Sequence, residues 1–305
     1  LVLSSRDVLG SIDWVKGLNG RGKDITALVE KGKSQFAGPE LMGKTLGVIG
    51  LGAIGALIAN AAVSLGMTVC GYDPYLSVDA AWRLSRDVKH EVNLDGIYAK
   101  ADYISINVPY TDTTYHMLDA KAFSKMKDGV RIINLARGDL VDNAAVKAAL
   151  ASGKVACYVT DFPSDELLDV EGVIAIPHLG ASTPESEENC ASMAAAQLID
   201  YLENGNIRTS VNLPEMSMER SGVHLAPVYD GKGRPLALSD ENVPTMLAQV
   251  LTVLSNDNIN IENMVSCSKG NNACSLFDTD AKVSEKAAAD IRAIQGVRRI
   301  TVIEG

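Results

Sequence analysis

Three observations predict an α/β chain: an open, doubly wound parallel sheet followed by a small α+β sandwich. Short apolar runs alternate with helical segments from residue 45 to residue 176. A glycine cluster and an acidic residue punctuate the first two of those runs. After about residue 235 the rhythm changes to β-α-β-β-α-β.

The elements follow in order. Leu1, Ser5, Val8, Leu9, Ile12 and Val15 fall at helical spacing, so the chain should open in one amphipathic helix. Thr45–Ile49 reads as a strand. Gly50, Gly52 and Gly55 form a G-x-G-x-x-G turn into an apolar helix reaching about Leu65. Gly66 stops that helix, a strand covers residues 67–72, and Asp73 stands at its end. A helix at Leu94–Lys100 precedes a strand at 103–108, which ends at Pro109. A helix at 119–125 precedes Val130–Asn134 and then Ala136, Arg137 and Gly138. A helix at 142–151 precedes Val155–Thr160 and then Asp161. A strand at 173–176 leads into Pro177 and His178. A long helix at 184–203 ends at Asn204-Gly205, and residues 212–222 lack periodicity and read as linker. The tail reads as strand 235–239, helix 244–256, strand 259–268, strand 273–279, helix 284–293 and strand 297–303. That order predicts a ferredoxin-like sandwich.

At 305 residues the chain is long enough for two domains. Its 47% apolar and 22% charged residues are ordinary globular values. A formal charge of -10 argues against nucleic-acid binding, which needs a basic face. No apolar run approaches the roughly 18 residues of a membrane span. Cys70, Cys157, Cys190, Cys267 and Cys274 show no CxxC spacing and read as reduced thiols of a cytoplasmic protein. Cys267 and Cys274 can face each other across a hairpin; they are read as two packed thiols. No metal site is expected. Because Leu1 is not a methionine, the sequence is expected to be a piece of a longer one.

The glycine turn carries the first functional reading. Gly50 allows the tight turn, and Gly52 lets the backbone approach a pyrophosphate. Gly55 lets the helix pack against the strand with its amides facing the phosphates. Asp73, about 20 residues on, can accept hydrogen bonds from a ribose diol. Together they predict a Rossmann-type site for a nicotinamide or flavin dinucleotide. Ligands of such sheets bind beyond the carboxyl ends of the strands. Gly50, Asp73, Pro109, Arg137, Asp161 and His178 each follow one.

His178 has the titration range to take the hydroxyl proton when a hydride leaves a carbinol carbon. His90, His116 and His224 read as surface residues. Arg137, between small neighbours, can grip a substrate carboxylate with two parallel hydrogen bonds; a surface salt bridge with Asp139 is the competing reading. Asp161 and Glu166 bracket a Phe162-Pro163 turn. Either could orient the His178 ring, and Asp165 competes with Glu166.

GLGAIG (50–55), GYDPY (71–75), NLARGDLVD (134–142), SGKVACYVTDFP (152–163) and PHLGAST (177–183) resemble the signatures of the D-isomer-specific 2-hydroxy acid dehydrogenase family. The likeness runs from Leu1 to about Leu213. It implies NAD as cofactor, a small 2-hydroxy acid as substrate, Arg137 as carboxylate anchor, His178 as general acid-base and Glu166 as its supporting acid. It further implies Ala53 and Ile54 within the glycine turn and Asp73 on the adenine ribose. Val108, Pro109, Ala136, Arg137, His178 and Gly180 would border the cofactor, with Asp161 near the nicotinamide amide.

Residues 235–305 resemble an ACT regulatory domain, which implies an amino-acid effector at domain interfaces, with Asn242 and Asn260 at the matching positions. Within the family such a tail implies oxidation of D-3-phosphoglycerate to 3-phosphohydroxypyruvate in L-serine synthesis, by a homo-oligomer. Another D-2-hydroxy acid (glycerate, glyoxylate, lactate) or a non-catalytic NAD-sensing role are the alternatives. The implied domains are NAD-binding (1–182), a return helix of the substrate domain (183–213), a linker (214–234) and the ACT domain (235–305). The family's N-terminal stretch, which carries part of the substrate domain, has no counterpart here. A histidine expected near Asp240 is absent, Thr245 replaces an expected glycine, and the loop from Glu166 to His178 is short. Ala53 stands where many relatives carry a basic residue.

Overall fold

The computed structural model describes residues 1–218, 236–242 and 244–303. The chain divides into two compact units, Leu1–Gly180 and Ala181–Gly305.

In the first unit α1 (Val2–Ser5), α2 (Val8–Lys16) and α3 (Ile25–Gly32) precede β1 (Thr45–Ile49) and α4 (Ala53–Ser64). The single opening helix expected from spacing is broken. Arg6 is extended, and Asp7 starts α2 by accepting a hydrogen bond from the Gly10 amide. Next come β2 (Thr68–Tyr72), α5 (Val78–Trp82), β3 (Lys89–His90), α6 (Leu94–Lys100) and β4 (Tyr103–Ile106). α7 (Ala120–Ser124), β5 (Val130–Asn134), α8 (Asn143–Ala151), β6 (Val155–Thr160) and β7 (Val173–Ala175) complete it. Side-chain caps begin several of these helices, Asn93 for α6, Asp119 for α7 and Asp142 for α8.

The seven strands lie parallel in the order β3-β2-β1-β4-β5-β6-β7. Successive side chains point to opposite faces, so each strand feeds two cores. Ile49, Ile104, Ile132 and Tyr158 belong to one buried cluster, and Leu46, Val48, Ile133 and Val159 to the other. The chain reverses its direction of sheet growth between β1 and β4. That switch point opens a crevice at the carboxyl ends of the strands.

The second unit contains α9 (Pro184–Asn204), β8 (Leu236–Glu241), α10 (Met246–Asn256), β9 (Ile261–Lys269), β10 (Asn272–Thr279), α11 (Glu285–Arg292) and β11 (Val297–Val302). Thr183 caps α9 at its start, and Gly205 ends it in the left-handed conformation. The four strands are antiparallel in the order β11-β8-β10-β9. One face packs on α10 and α11 through Leu238, Val250, Leu254, Phe277 and Ile291. The other is covered by Ile207, Met216 and Met218, which meet Cys274 and Leu276 with Tyr201 alongside.

This second cluster bears on two expectations. The helix at 183–213, assigned to a substrate domain, groups with the small sheet. The segment read as linker is packed as far as Met218, because Ile207 and Met216 exchange backbone hydrogen bonds and bury their side chains. Residues 219–234, the rest of that expected linker, and residue 235, the expected start of the ACT domain, lie outside the described residues. Thr245 takes the left-handed backbone (φ 68) that a glycine would adopt without strain.

All five cysteines are free thiols. Cys267 and Cys274 are paired positions of the β9–β10 hairpin, and they remain two thiols. Burial pushes Cys70 and Cys157 up to about 11. Among the described residues, no helix is long and apolar enough to cross a membrane.

Candidate active site

Because β1 to β7 are parallel, the residues that follow them gather along one edge. The first is the glycine turn. Gly50 has φ 88, and a side chain there would meet the Asn107 carbonyl oxygen at 2.6 Å and Val108 Cγ1 at 2.9 Å. A side chain at Gly55 would fall 1.9 Å from the Gly50 carbonyl oxygen, so α4 can approach β1 this closely only with glycine. Nothing lies within 4 Å of the space a Gly52 side chain would take. Gly52, Ala53 and Ile54 are exposed at the start of α4, which carries no side-chain cap. Its first amides therefore face an open cradle, and this fits a pyrophosphate.

Asp73 secures that cradle. One carboxylate oxygen accepts the Leu51 amide at 2.8 Å and the other the Tyr75 amide at 2.8 Å. A carboxylate has about four lone-pair positions, so a ribose diol can share it. Val108 packs partly into the core beside Gly50. Pro109 is exposed beyond β4, its carbonyl tied to the Thr114 hydroxyl at 2.8 Å.

Beyond β5, β6 and β7 the structure brings Arg137, Asp161 and His178 together. Asp161 is 7% exposed, and its Oδ2 lies 2.7 Å from His178 Nδ1. Its Oδ1 has no hydrogen-bond partner among the described residues. A buried acceptor left unmet is costly, and a carboxamide N–H of a nicotinamide would meet it. With Nδ1 beside Asp161, Nε2 is the other ring nitrogen of His178, on a side chain 54% exposed.

Glu166, the acid assigned to that histidine by resemblance, is not its partner in this structure. It sits in a 3-10 turn (Asp165–Leu167), 60% exposed, with Oε2 3.0 Å from Lys147 Nζ on α8. The short loop keeps it on that side, while Asp161 already lies at the end of β6 next to β7.

Arg137 is exposed; its Nη1 donates to the Ala136 carbonyl at 2.6 Å, and its guanidinium lies 5.8 Å from the Phe162 ring centroid. Among the described residues no ion pair joins it to Asp139. Phe162 also lies 4.7 Å, centroid to centroid, from the His178 ring. It thus spaces the cation from the imidazole, a role sequence reading missed. Asn134 was missed too: fully buried, it donates to the Arg137 carbonyl at 2.8 Å and so fixes the backbone under the guanidinium. A buried polar residue ending an apolar strand was the available signal. Gly180 is exposed with open space around it. His90 lies exposed on the edge strand β3; His116 stacks on Tyr115. His224 lies outside the described residues.

Asn242 and Asn260 are not brought together within the chain. Asn242 donates through Nδ2 to the Gly270 carbonyl at the hairpin end of β9. Asn260 precedes the other end, its amide bound to Asp280 Oδ1 at 2.8 Å. The nine residues of β9 between them span about 30 Å.

Comparison with known proteins gives a consistent result. Residues 12–180 match the family described as D-isomer specific 2-hydroxyacid dehydrogenase, NAD binding domain. A D-3-phosphoglycerate dehydrogenase of Archaeoglobus fulgidus is 37% identical over 198 residues, which cover 62% of this chain and 37% of that protein. One from Methanocaldococcus jannaschii is 34% identical over 235 residues, 74% of this chain and 43% of that protein. The chain thus spans about two fifths of the length of these relatives. Among solved structures, the apo D-mandelate dehydrogenase of Rhodotorula graminis superimposes with a TM-score of 0.56 at 27% identity, covering 66% of this chain and 59% of that one.

Proposed function

This chain belongs to the D-isomer specific 2-hydroxyacid dehydrogenase family, and from that premise we propose that it oxidises D-3-phosphoglycerate with NAD, the step that opens L-serine synthesis. The observation that carries the reading is the Asp161–His178 pair, with Arg137 spaced from it by Phe162. The matched relatives named for that substrate support its choice. So does the α+β sandwich that follows the dinucleotide-binding unit.

Gly50, Gly52 and the first amides of α4 hold the pyrophosphate, and Asp73 takes the adenine ribose. Bound nicotinamide supplies the acceptor for the hydride that leaves C2. Arg137 turns from the Ala136 carbonyl to grip the substrate carboxylate with two N–H groups, which aligns C2 and its hydroxyl. His178 Nε2 takes the hydroxyl proton as the carbonyl forms. Asp161 holds the ring by Nδ1 and stabilises the imidazolium that results.

The second unit we read as an ACT-type regulatory domain. Its β-α-β-β-α-β order and the strand order β11-β8-β10-β9 support this. Because Asn242 and Asn260 stand at opposite ends of β9, an effector amino acid touching both would lie between two copies, in keeping with a homo-oligomer. Five free thiols suit a reducing, cytoplasmic setting.

The test has two parts. Calorimetric titration with NAD examines the cofactor reading on this chain. NADH formation from D-3-phosphoglycerate, D-glycerate and D-lactate examines the substrate, with D-3-phosphoglycerate expected to give the highest kcat/KM. Preference for either of the others would move the chain to a different branch of the family.

A further inference from the structure

Cys267 and Cys274 face each other across the β9–β10 hairpin, whose two-residue loop begins at Gly270 with the positive φ (59) that such a turn favours. The pairing runs without a shift from Asn272 to Asp278, so the register is fixed at this rung. Opposite residues of an antiparallel pair have their side chains on one face and their Cα atoms about 4.5–5.5 Å apart. A disulfide accepts Cα atoms about 4.4–6.8 Å apart. The next rung shows how near such side chains come. There, on the other face, the Ser266 and Ser275 hydroxyls are 2.9 Å apart.

The two thiols differ in access. Cys274, on the inner strand β10, is 1% exposed and belongs to the cluster with Ile207, Met216 and Met218. Cys267 is on the edge strand β9 and only half-buried. A reachable thiol beside a buried one is the arrangement of an attacking and a resolving cysteine. The other three are placed differently. Cys70 on β2 and Cys157 on β6 are separated by β1, β4 and β5, and burial, which pushes both up to about 11, keeps them protonated. Cys190 is exposed on α9, outside either sheet.

We infer that Cys267 and Cys274 form a reversible disulfide, made by exchange with a small-molecule disulfide and undone by a small-molecule thiol. The Cys267 thiolate attacks one sulfur of oxidised glutathione; a bond to that sulfur forms, the glutathione S–S bond breaks, and one glutathione thiolate leaves. The Cys274 thiolate then attacks Cys267 Sγ, the Cys267–Cys274 bond forms, and the second glutathione thiolate leaves. The two cysteine protons end on the two glutathione thiols, and two electrons pass from the cysteines to glutathione. Reversibility follows from the hairpin. Opposed Cβ atoms stand about 4.5–5.5 Å apart, wider than the roughly 3.5–4.5 Å a disulfide prefers, so the bond closes against its surroundings and is readily reduced. In a reducing setting such bonds are transient and redox-sensing.

The test exposes the folded 305-residue chain to oxidised glutathione, blocks the remaining thiols and maps the peptides by mass. A peptide pair joined through Cys267 and Cys274 should appear, and reduced glutathione should remove it. Glutathione on the exposed Cys190 adds mass and is told apart by the same map. Cys267 should react with a thiol reagent about tenfold faster than Cys70 and Cys157, or more. In Cys274→Ser, Cys267 should keep one glutathione; in Cys267→Ser, Cys274 should stay reduced. Absence of the joined pair from the folded chain would overturn the proposal, as would a bond that forms only in urea or one that reduced glutathione leaves intact. Glutathione on Cys274 in Cys267→Ser would overturn the order of attack. Should Cys274→Ser fail to fold, the unaltered chain and Cys267→Ser still decide.

Discussion

Each of the two sheets buries a carboxylate with one oxygen that nothing in the described chain meets, yet their surroundings differ. Asp161 lies just past the end of β6, where the chain leaves the sheet, and His178 Nδ1 stands 2.7 Å from its other oxygen. Asp240 lies inside β8, flanked by β10 and β11, and its Oδ1 has no hydrogen-bond partner among the described residues. A strand end leaves room for a second residue to swing in and pair. A central strand offers only its neighbours on the same face, and here the paired ones are Ala273 and Val297, neither of them polar. The first carboxylate therefore has a charged-capable partner, while the second has apolar neighbours.

Substitutions separate the two cases. The largest effect should follow His178→Ala, which is expected to lower kcat by about 10² to 10⁴ and leave NAD affinity nearly unchanged; near-normal turnover would reduce His178 to a structural role. Asp161→Asn should lower kcat by about a hundredfold, the ring losing its charge partner, whereas Glu166→Gln should stay within about twofold. If Glu166→Gln proves the more damaging in pH–rate profiles, the pairing in the active complex differs from that described here.

Arg137→Lys keeps the charge and loses the planar fork. A fall of about 10–100-fold in kcat/KM, with kcat reduced as well as KM raised, is expected from a charged hydrogen bond worth about 1.5–3 kcal/mol. Asp73 should repel a 2′-phosphate, giving at least tenfold tighter binding of NAD than NADP, or about 1.4 kcal/mol. Equal affinities by calorimetry would dissociate Asp73 from the ribose.

Asp240 makes the smallest prediction and one of opposite sign. Burial raises its folded-state value to about 6, above the ordinary carboxylate range. The folded chain then holds a proton that the unfolded chain has lost, so stability falls as pH rises from about 4 towards 6. Asp240→Asn should be more stable than the unaltered chain at pH 7 by about 1–3 kcal/mol, with the advantage shrinking near pH 4. Urea unfolding at the two pH values checks both points.

The scaffold was legible in the sequence because a parallel strand buried on both faces is written as a plain apolar run. Thr45–Ile49, Val130–Asn134 and Val155–Thr160 occur as read. The two-residue β3 and the five-residue α5 were not legible, being too short to show any period. At the site, residue types and edge positions could be read, but partners could not. Nothing local tells whether Asp161 or Glu166 meets His178; that depends on β6 and β7 being neighbours and on Lys147 reaching across from α8. Phe162 looked like part of a turn because its two contacts come from residues far along the chain.

The cluster of Ile207, Met216 and Met218 on Cys274 and Leu276 bears on how this protein can be dissected. A fragment begun near residue 222, where composition suggests a natural cut, would strip the cover from one side of the small sheet. Such a fragment should aggregate or pair through the bared apolar surface, and its self-association would say nothing of any regulatory interface. A cut after Gly180, retaining α9 and the segment to Met218, keeps that cover in place.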